Sequence, residues 1–202
     1  MITTIVFDIG NVLAHFGWKE YLHSCGYNED MKHRISNATV ESRLWREWDR
    51  GSREASELVE LCCKENPDIE TQLREFFRHA VDMVQEYDYS PELVKQLKKN
   101  GYHIYVLSNY SKANFEENSK NFKFIEYIDG GIVSYQVNYI KPEAAIYEAL
   151  INKYNINPSE AVFIDDVEAN LEGAKPFGFH TILMQSYDKL IPELKNLGIR
   201  ID

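Results

Sequence analysis

The strand–helix alternation that begins at Ser90 constrains this chain more than any other feature. Four short apolar, β-rich runs, Thr3–Phe7, His103–Leu107, Ala161–Ile164 and Thr181–Met184, read as buried strands. A weaker fifth lies at Gly131–Ser134. Helical patterns separate them. "SPELVKQLKKNG" opens with Ser90 as N-cap and Pro91 in its first turn, and closes at Asn100-Gly101. "KPEAAIYEALINKYN" puts Tyr147, Leu150, Ile151 and Tyr154 on one helical face. "VEANLEGAKPFG" is a short helix closed by Pro176 and Gly178, and in "SYDKLIPELKNLG" Pro192 bends or restarts the last helix. This order means an α/β fold with a parallel sheet and right-handed crossovers. Sites in such sheets lie beyond the carboxyl ends of the strands. Three of the runs stop there on residues able to do chemistry: Asp8, Ser108 and the pair Asp165-Asp166.

The stretch from Trp18 to Tyr89 breaks the pattern directly after the first strand. It shows no clear strand and carries Glu, Arg, Leu, Trp and Phe at helical spacing, as in "ESRLWREWDRG" and "IETQLREFFRHAVDMVQEY". It reads as an inserted unit of three to four helices, with Gly51 closing one of them. The expected division is a core of residues 1–16 and 90–202 with an inserted helical unit at 17–89. A length of 202 residues suits such an arrangement.

The net charge of −10 argues against nucleic acid as a partner but leaves room for a small anionic ligand at a local site. No apolar run approaches the ~20 residues of a membrane span, and the first residues lack the basic and small-residue marks of a signal peptide. Cys25, Cys62 and Cys63 form neither a disulfide framework nor a metal-type spacing. The expectation is a cytoplasmic protein with reduced thiols, no membrane partner, and a monomeric or homodimeric state.

Alone, Asp8 reads best as a strand-end residue closing a turn. Its company changes that reading. "SN" at 108–109, "KP" at 141–142 and "DD" at 165–166 follow in order, each near the end of a strand or in the loop after it. Two adjacent carboxylates at a buried strand end are costly without a cation or hydrogen bonds.

Together "FDIGNVL", "VLSN", "KP" with "IYEAL", and "VFIDDVEANLEGAKPFG" resemble the four motifs of the haloacid dehalogenase-like hydrolases. The likeness is greatest to the subgroup of sugar phosphatases and the phosphatase domain of epoxide hydrolases, and it spans the chain. It implies a Rossmann-like core of strand order 5-4-1-2-3 with an inserted α-helical cap. It implies Mg²⁺ and an aspartyl-phosphate intermediate formed on a phosphorylated small-molecule substrate. By the same resemblance Asp8 is the nucleophile. Asp8, the Gly10 carbonyl and Asp166 are the metal ligands. Ser108 and Asn109 bind the phosphoryl oxygens, and Lys141 neutralises charge on both Asp8 and substrate. Asp165 and Asn170 stand behind the metal ligands and orient them.

One position departs from the pattern. Most phosphatases of the family carry a second Asp where this chain has Gly10, and that Asp protonates the leaving oxygen. Its loss leaves three routes open: a good leaving group, a substitute acid such as His15 or a residue of the helical unit, or a weak phosphatase with another role. Trp45, Trp48, Phe76 and Phe77 read as packing residues. Arg43, Arg46 and Arg50 are candidates to meet a substrate hydroxyl or carboxylate. The leading expectation is a Mg²⁺-dependent phosphatase of small metabolites, sugar phosphates first. The alternatives are a 2-haloacid dehalogenase-type hydrolase, in which Asp8 attacks carbon without a metal, and a non-catalytic phospholigand-binding protein on the same scaffold.

Overall fold

The apolar runs pair with one another into a parallel sheet in the computed structural model, which describes residues 1–201. The chain opens with β1 (Thr4–Phe7) and β2 (Ala14–Phe16). Helices α1 (Trp18–Ser24), α2 (Glu29–Ala38), α3 (Arg43–Arg50), α4 (Ala55–Glu65) and α5 (Glu70–Arg78) follow. Next come β3 (Val84–Glu86), α6 (Ser90–Lys99), β4 (His103–Ser108), α7 (Lys112–Asn118) and β5 (Gly130–Val133). The chain finishes with α8 (Ala144–Tyr154), β6 (Ala161–Asp165), α9 (Glu168–Ala174), β7 (His180–Leu183) and α10 (Tyr187–Asn196).

The sheet order is β5-β4-β1-β6-β7. These labels differ from the expected 5-4-1-2-3 because they count β2 and β3, which pair antiparallel with each other outside the sheet. With the five sheet strands alone numbered in chain order, the sequence read from the β7 edge is 5-4-1-2-3.

Central β1 is buried on both faces, which explains its unbroken apolar run. Its residues alternate between two cores. Ile5 and Phe7 join Leu93, Leu97 and Leu194 of α6 and α10 on one face. Val6 joins Ile146, Tyr147 and Leu171 of α8 and α9 on the other. Burying each such side chain is worth about 1.5–3 kcal/mol. Helices α1 to α5 close around a separate cluster that includes Leu22, Trp48, Leu58, Leu73 and Phe76.

Several local expectations shift. The stretch read as strandless contains β3, which joins β2 in an antiparallel pair spanning the expected boundary at residue 17. Its three half-buried or exposed residues are too few to show a period of two, and its partner lies some seventy residues earlier. Ser90 does not cap α6; its hydroxyl donates to the Leu13 carbonyl at 2.7 Å and ties the helix start to the first loop. Helix α10 runs on through Pro192. The thiols of Cys25, Cys62 and Cys63 are free. Among the described residues no helix is long and apolar enough to cross a membrane.

Gly51 ends α3 in the left-handed conformation (φ +68°), as the sequence suggested. A Cβ there would stand 2.7 Å from the Tyr135 Cβ and 3.0 Å from its Cα. Gly51→Ala should therefore cost at least the ~1–2 kcal/mol of a left-handed L-residue. A lowered urea midpoint at unchanged slope is the expected result.

Candidate active site

Asp8 follows β1 directly, and its own N–H still donates to Ile164 of β6 at 2.9 Å. The backbone leaves the sheet one residue later, so the carboxylate projects from the carboxyl edge. The Ile9 N–H donates to its Oδ1 at 2.7 Å, and the Lys141 ammonium lies 2.9 Å from the same oxygen. The loop then folds back, with the Asn11 N–H donating to the Ala14 carbonyl and the Ala14 N–H to the Ile9 carbonyl. Asn11 takes a positive φ of 52°, which Asn tolerates better than most residues. Its side-chain amide donates to Asp166 Oδ2 at 3.0 Å, linking the loops after β1 and β6.

The adjacent acids have different surroundings. Asp165 is fully buried and saturated. Its Oδ2 takes the Lys141 ammonium at 2.6 Å, its Oδ1 the Val167 N–H at 2.8 Å, and the Asn170 amide reaches both oxygens at 3.0 and 3.1 Å. Asn170 is held in turn, its carbonyl accepting from the Tyr147 hydroxyl at 2.7 Å. Asp166 is less buried and takes one side-chain hydrogen bond, from Asn11.

Lys141 is 3% exposed and lies between Asp8 and Asp165. Its backbone is clamped by Asn109. The Lys141 N–H donates to Asn109 Oδ1 at 2.8 Å, and Asn109 Nδ2 donates to the Lys141 carbonyl at 3.1 Å. The Asn109 amide is thus engaged in placing Lys141, a task the motif did not reveal. Ser108 ends β4, buried, with its hydroxyl toward Asp8. It does not cap the next helix; that position belongs to Ser111.

The charge balance is uneven. One oxygen from each of Asp8, Asp165 and Asp166 falls within a cluster whose atoms lie within 4.8 Å of one another. A single ammonium faces these three acids. Burial pulls the Lys141 pKa down, yet Asp165 and Asp8 overcome it and hold the amine above its ordinary range. Burial pushes Asp8 up to about 7 despite Lys141 and Ser108, with Asp165 and Asp166 adding to the rise. Asp166 is raised as well, chiefly by burial and then by Asp165, against the Asn11 hydrogen bond. A buried cluster short of positive charge, built from hard oxygen donors, fits a small divalent cation such as Mg²⁺.

Above Asp8 and Gly10 lies a pocket of about 480 Å³ counted out to its mouth. Phe16, Trp45, Val84 and Tyr110 wall it. Trp45, expected only to pack, does both: it stacks on Phe16 at 5.8 Å and faces the pocket. Asn109 and Asn114 also line it, and so do Asp49 at the end of α3 and Ser111 before α7. Sequence reasoning passed over the last two. "WDRG" marked only a helix end, and Ser111 stands just outside the "SN" pair.

Other candidates lie elsewhere. Arg50 forms a two-point ion pair with Glu143, at 2.6 and 2.8 Å, and Arg43 pairs with Glu65 on the surface. Arg46 is exposed. Consecutive residues of a strand face opposite ways, so β2 turns Phe16 into the pocket and His15 out of it. His15 sits 3.4 Å from Glu20 and 3.5 Å from the Tyr87 hydroxyl.

A parallel sheet with a buried aspartate at its carboxyl edge and a carboxylate cluster around it points to a class of protein rather than to one reaction. The family model described as haloacid dehalogenase-like hydrolase matches residues 2–178, and the chain belongs to that family. It is 28% identical over 198 residues to a D-ribitol-5-phosphate phosphatase of Bacteroides thetaiotaomicron, covering 90% of this chain and 91% of the relative. It is also 26% identical over 110 residues to an (S)-2-haloacid dehalogenase 4A of Burkholderia cepacia, covering 54% of this chain and 48% of that one. The fold matches a solved structure of a family enzyme from B. thetaiotaomicron in complex with magnesium and inorganic phosphate. The TM-score is 0.72 at 21% identity, covering 94% of this chain and 99% of the other.

Proposed function

We propose that this protein is a Mg²⁺-dependent phosphatase of small phosphorylated metabolites, with sugar and polyol phosphates as the favoured class. The observation that carries the reading is the cluster of Asp8, Asp165 and Asp166 around one ammonium. A dehalogenase attacking carbon has no use for a third carboxylate there, whereas a cation-assisted attack on a phosphate dianion does. The ribitol-phosphate phosphatase, matched over nearly its full length, supports the substrate class. So does the Trp45–Phe16 wall, since the C–H face of a sugar or polyol packs on aromatic rings. We also read residues 17–89 as a cap over a core formed by 1–16 and 90–202, supported by the separate apolar cluster of α1 to α5.

In this reading Asp8 attacks phosphorus, the alcohol departs, and water then releases phosphate from the aspartyl-phosphate. Asp8, the Gly10 carbonyl and Asp166 would hold Mg²⁺, which supplies charge neutralisation at the phosphoryl oxygens. Asp165 is saturated and instead holds Lys141 and Asn170 in place. Lys141 balances charge at Asp8, and Ser108 with nearby backbone N–H groups receives the phosphoryl oxygens.

The test is phosphate release from a panel of sugar, polyol and aryl phosphates, with and without Mg²⁺, beside 2-chloropropionate. Mg²⁺-dependent phosphate release is expected, and chloride release instead would overturn the reading. Asp166→Ala should weaken Mg²⁺ binding at least about tenfold, as loss of a direct ligand exceeds the 10–100-fold of an outer partner at most sites. Titration calorimetry reads this directly; unchanged affinity would remove Asp166 from the ligand set.

A further inference from the structure

Gly10 leaves the reaction without a proton donor at the position where the family resemblance places one. There is room for one: a Cβ built on Gly10 meets nothing within 4 Å, and its backbone is not in the left-handed region. The pocket over that gap is faced from the other side by a carboxyl that the reaction so far does not use.

We propose that Asp49 carries out the proton transfers of the reaction, in place of a side chain at position 10. This rests on the phosphatase reading above. In the first step a bond forms from Asp8 to phosphorus, the bond from phosphorus to the alcohol oxygen breaks, and that oxygen takes the Asp49 proton. In the second, water oxygen bonds to phosphorus, the bond to Asp8 breaks, and the water proton returns to Asp49. Monoester and water become alcohol and phosphate, and both side chains are restored.

The geometry supports this in three ways. Asp49 lines the same pocket as Asp8 and Gly10. Its carboxyl meets the Ser111 N–H, and among the described residues no side chain hydrogen-bonds or pairs with it. The backbone behind it is pinned to the sheet side of the molecule. The Ser134 hydroxyl donates to the Asp49 carbonyl, and Asn138 donates to the carbonyls of Arg50 and Gly51 at 3.0 and 3.2 Å. The Arg50–Glu143 pair adds a further tie. An acid placed this firmly meets the positional demand of proton transfer.

Two more observations agree. Asp49 is half-buried where it lines the pocket, and burial pushes its carboxyl up to about 8. The Asp8 charge adds to that rise, while Lys141 and the Ser111 N–H oppose it. An acid in that range holds its proton at neutral pH and can give it up to a leaving alkoxide. Beside it Ser111 Oγ is buried and has no hydrogen-bond partner, as a group awaiting a ligand oxygen would be.

The experiment compares kcat/KM for 4-nitrophenyl phosphate and ribitol 5-phosphate in native enzyme, Asp49→Asn, Gly10→Asp, Gly10→Asp/Asp49→Asn and His15→Ala. Because kcat/KM ends at phosphoryl transfer, it reads the first proton step alone. Asp49→Asn should lose about 10²–10⁴-fold on the polyol phosphate and far less on the aryl ester, whose leaving group needs no proton. It should also release nitrophenolate in a burst equal to the enzyme, because the second step has lost its base. The double variant should recover the polyol reaction, which also shows that Asp49→Asn folds. A polyol-to-aryl ratio in Asp49→Asn within threefold of native, or a selective polyol loss in His15→Ala, would overturn the role of Asp49. An enzyme that hydrolyses neither ester, with Asp8→Asn indistinguishable from native, would overturn the phosphatase reading instead.

Discussion

Asp8→Asn should abolish phosphate release, with a fall on the order of 10⁵–10⁶-fold in kcat, the scale seen when a covalent nucleophile is removed. An amide cannot form the acyl phosphate. The loss should be chemical and not structural. Asp8 is one of three acids sharing one ammonium, and its burial raises its pKa. Replacing it by a neutral isostere relieves that crowding, so the variant should unfold at no lower urea concentration than the native metal-free protein. Phosphate assays and urea titrations on the same preparation separate the two effects. Turnover near the native level would remove Asp8 from the nucleophile role.

Lys141→Met should fail in both respects. The side chain is 1% exposed and contacts Asp8 and Asp165 at 2.9 and 2.6 Å. Its loss strands a fully buried Asp165 without a counter-charge. Breaking a buried pair from one side costs about 3–5 kcal/mol. The urea midpoint should therefore drop well below that of Asp8→Asn, and Mg²⁺ should restore part of it by binding the folded state. Activity should be lost even in saturating Mg²⁺. A native-like midpoint would mean that the ion pair does not hold the site together.

The opposite stability outcomes expected for these two variants follow from one arrangement: too many acids around one base. The four motifs made that arrangement readable. Asp8, Ser108 and Asp165-Asp166 each stand at or just past the carboxyl end of a strand, Lys141 stands in the long loop that follows β5, and a parallel sheet brings such ends and loops together. The strand positions were readable for the same reason. Residues buried on both faces of a sheet must be apolar throughout, and such runs stand out in any sequence. The pairing of β2 with β3 was not readable, because half-exposed strands of three residues joined across the helical unit leave no pattern.

The structure also adds to what the resemblance implies. Asn109, expected at the phosphoryl group, lines the pocket with Asp8, and its amide clamps the Lys141 backbone through two hydrogen bonds. Beside an unspecified residue of the helical unit, His15 was named as a stand-in for the missing acid because it follows the first motif. The alternation of β2 turns it away and presents Phe16 instead.

The sequence by itself determined the strands of the sheet and the strand-end residues along its carboxyl edge, while the strand order came with the family resemblance. Local apolar runs and strand-end acids depend on neighbours a few positions away, and the parallel topology does the rest. What faces that edge was decided by tertiary structure alone. Asp49 is separated from Asp8 by forty-one positions and carries no motif. It reaches the pocket because Gly51 ends α3 in a left-handed turn and because Ser134, Asn138 and Glu143 hold that turn against the core. Contacts of this kind join elements through side chains far apart in the chain, and no periodicity records them.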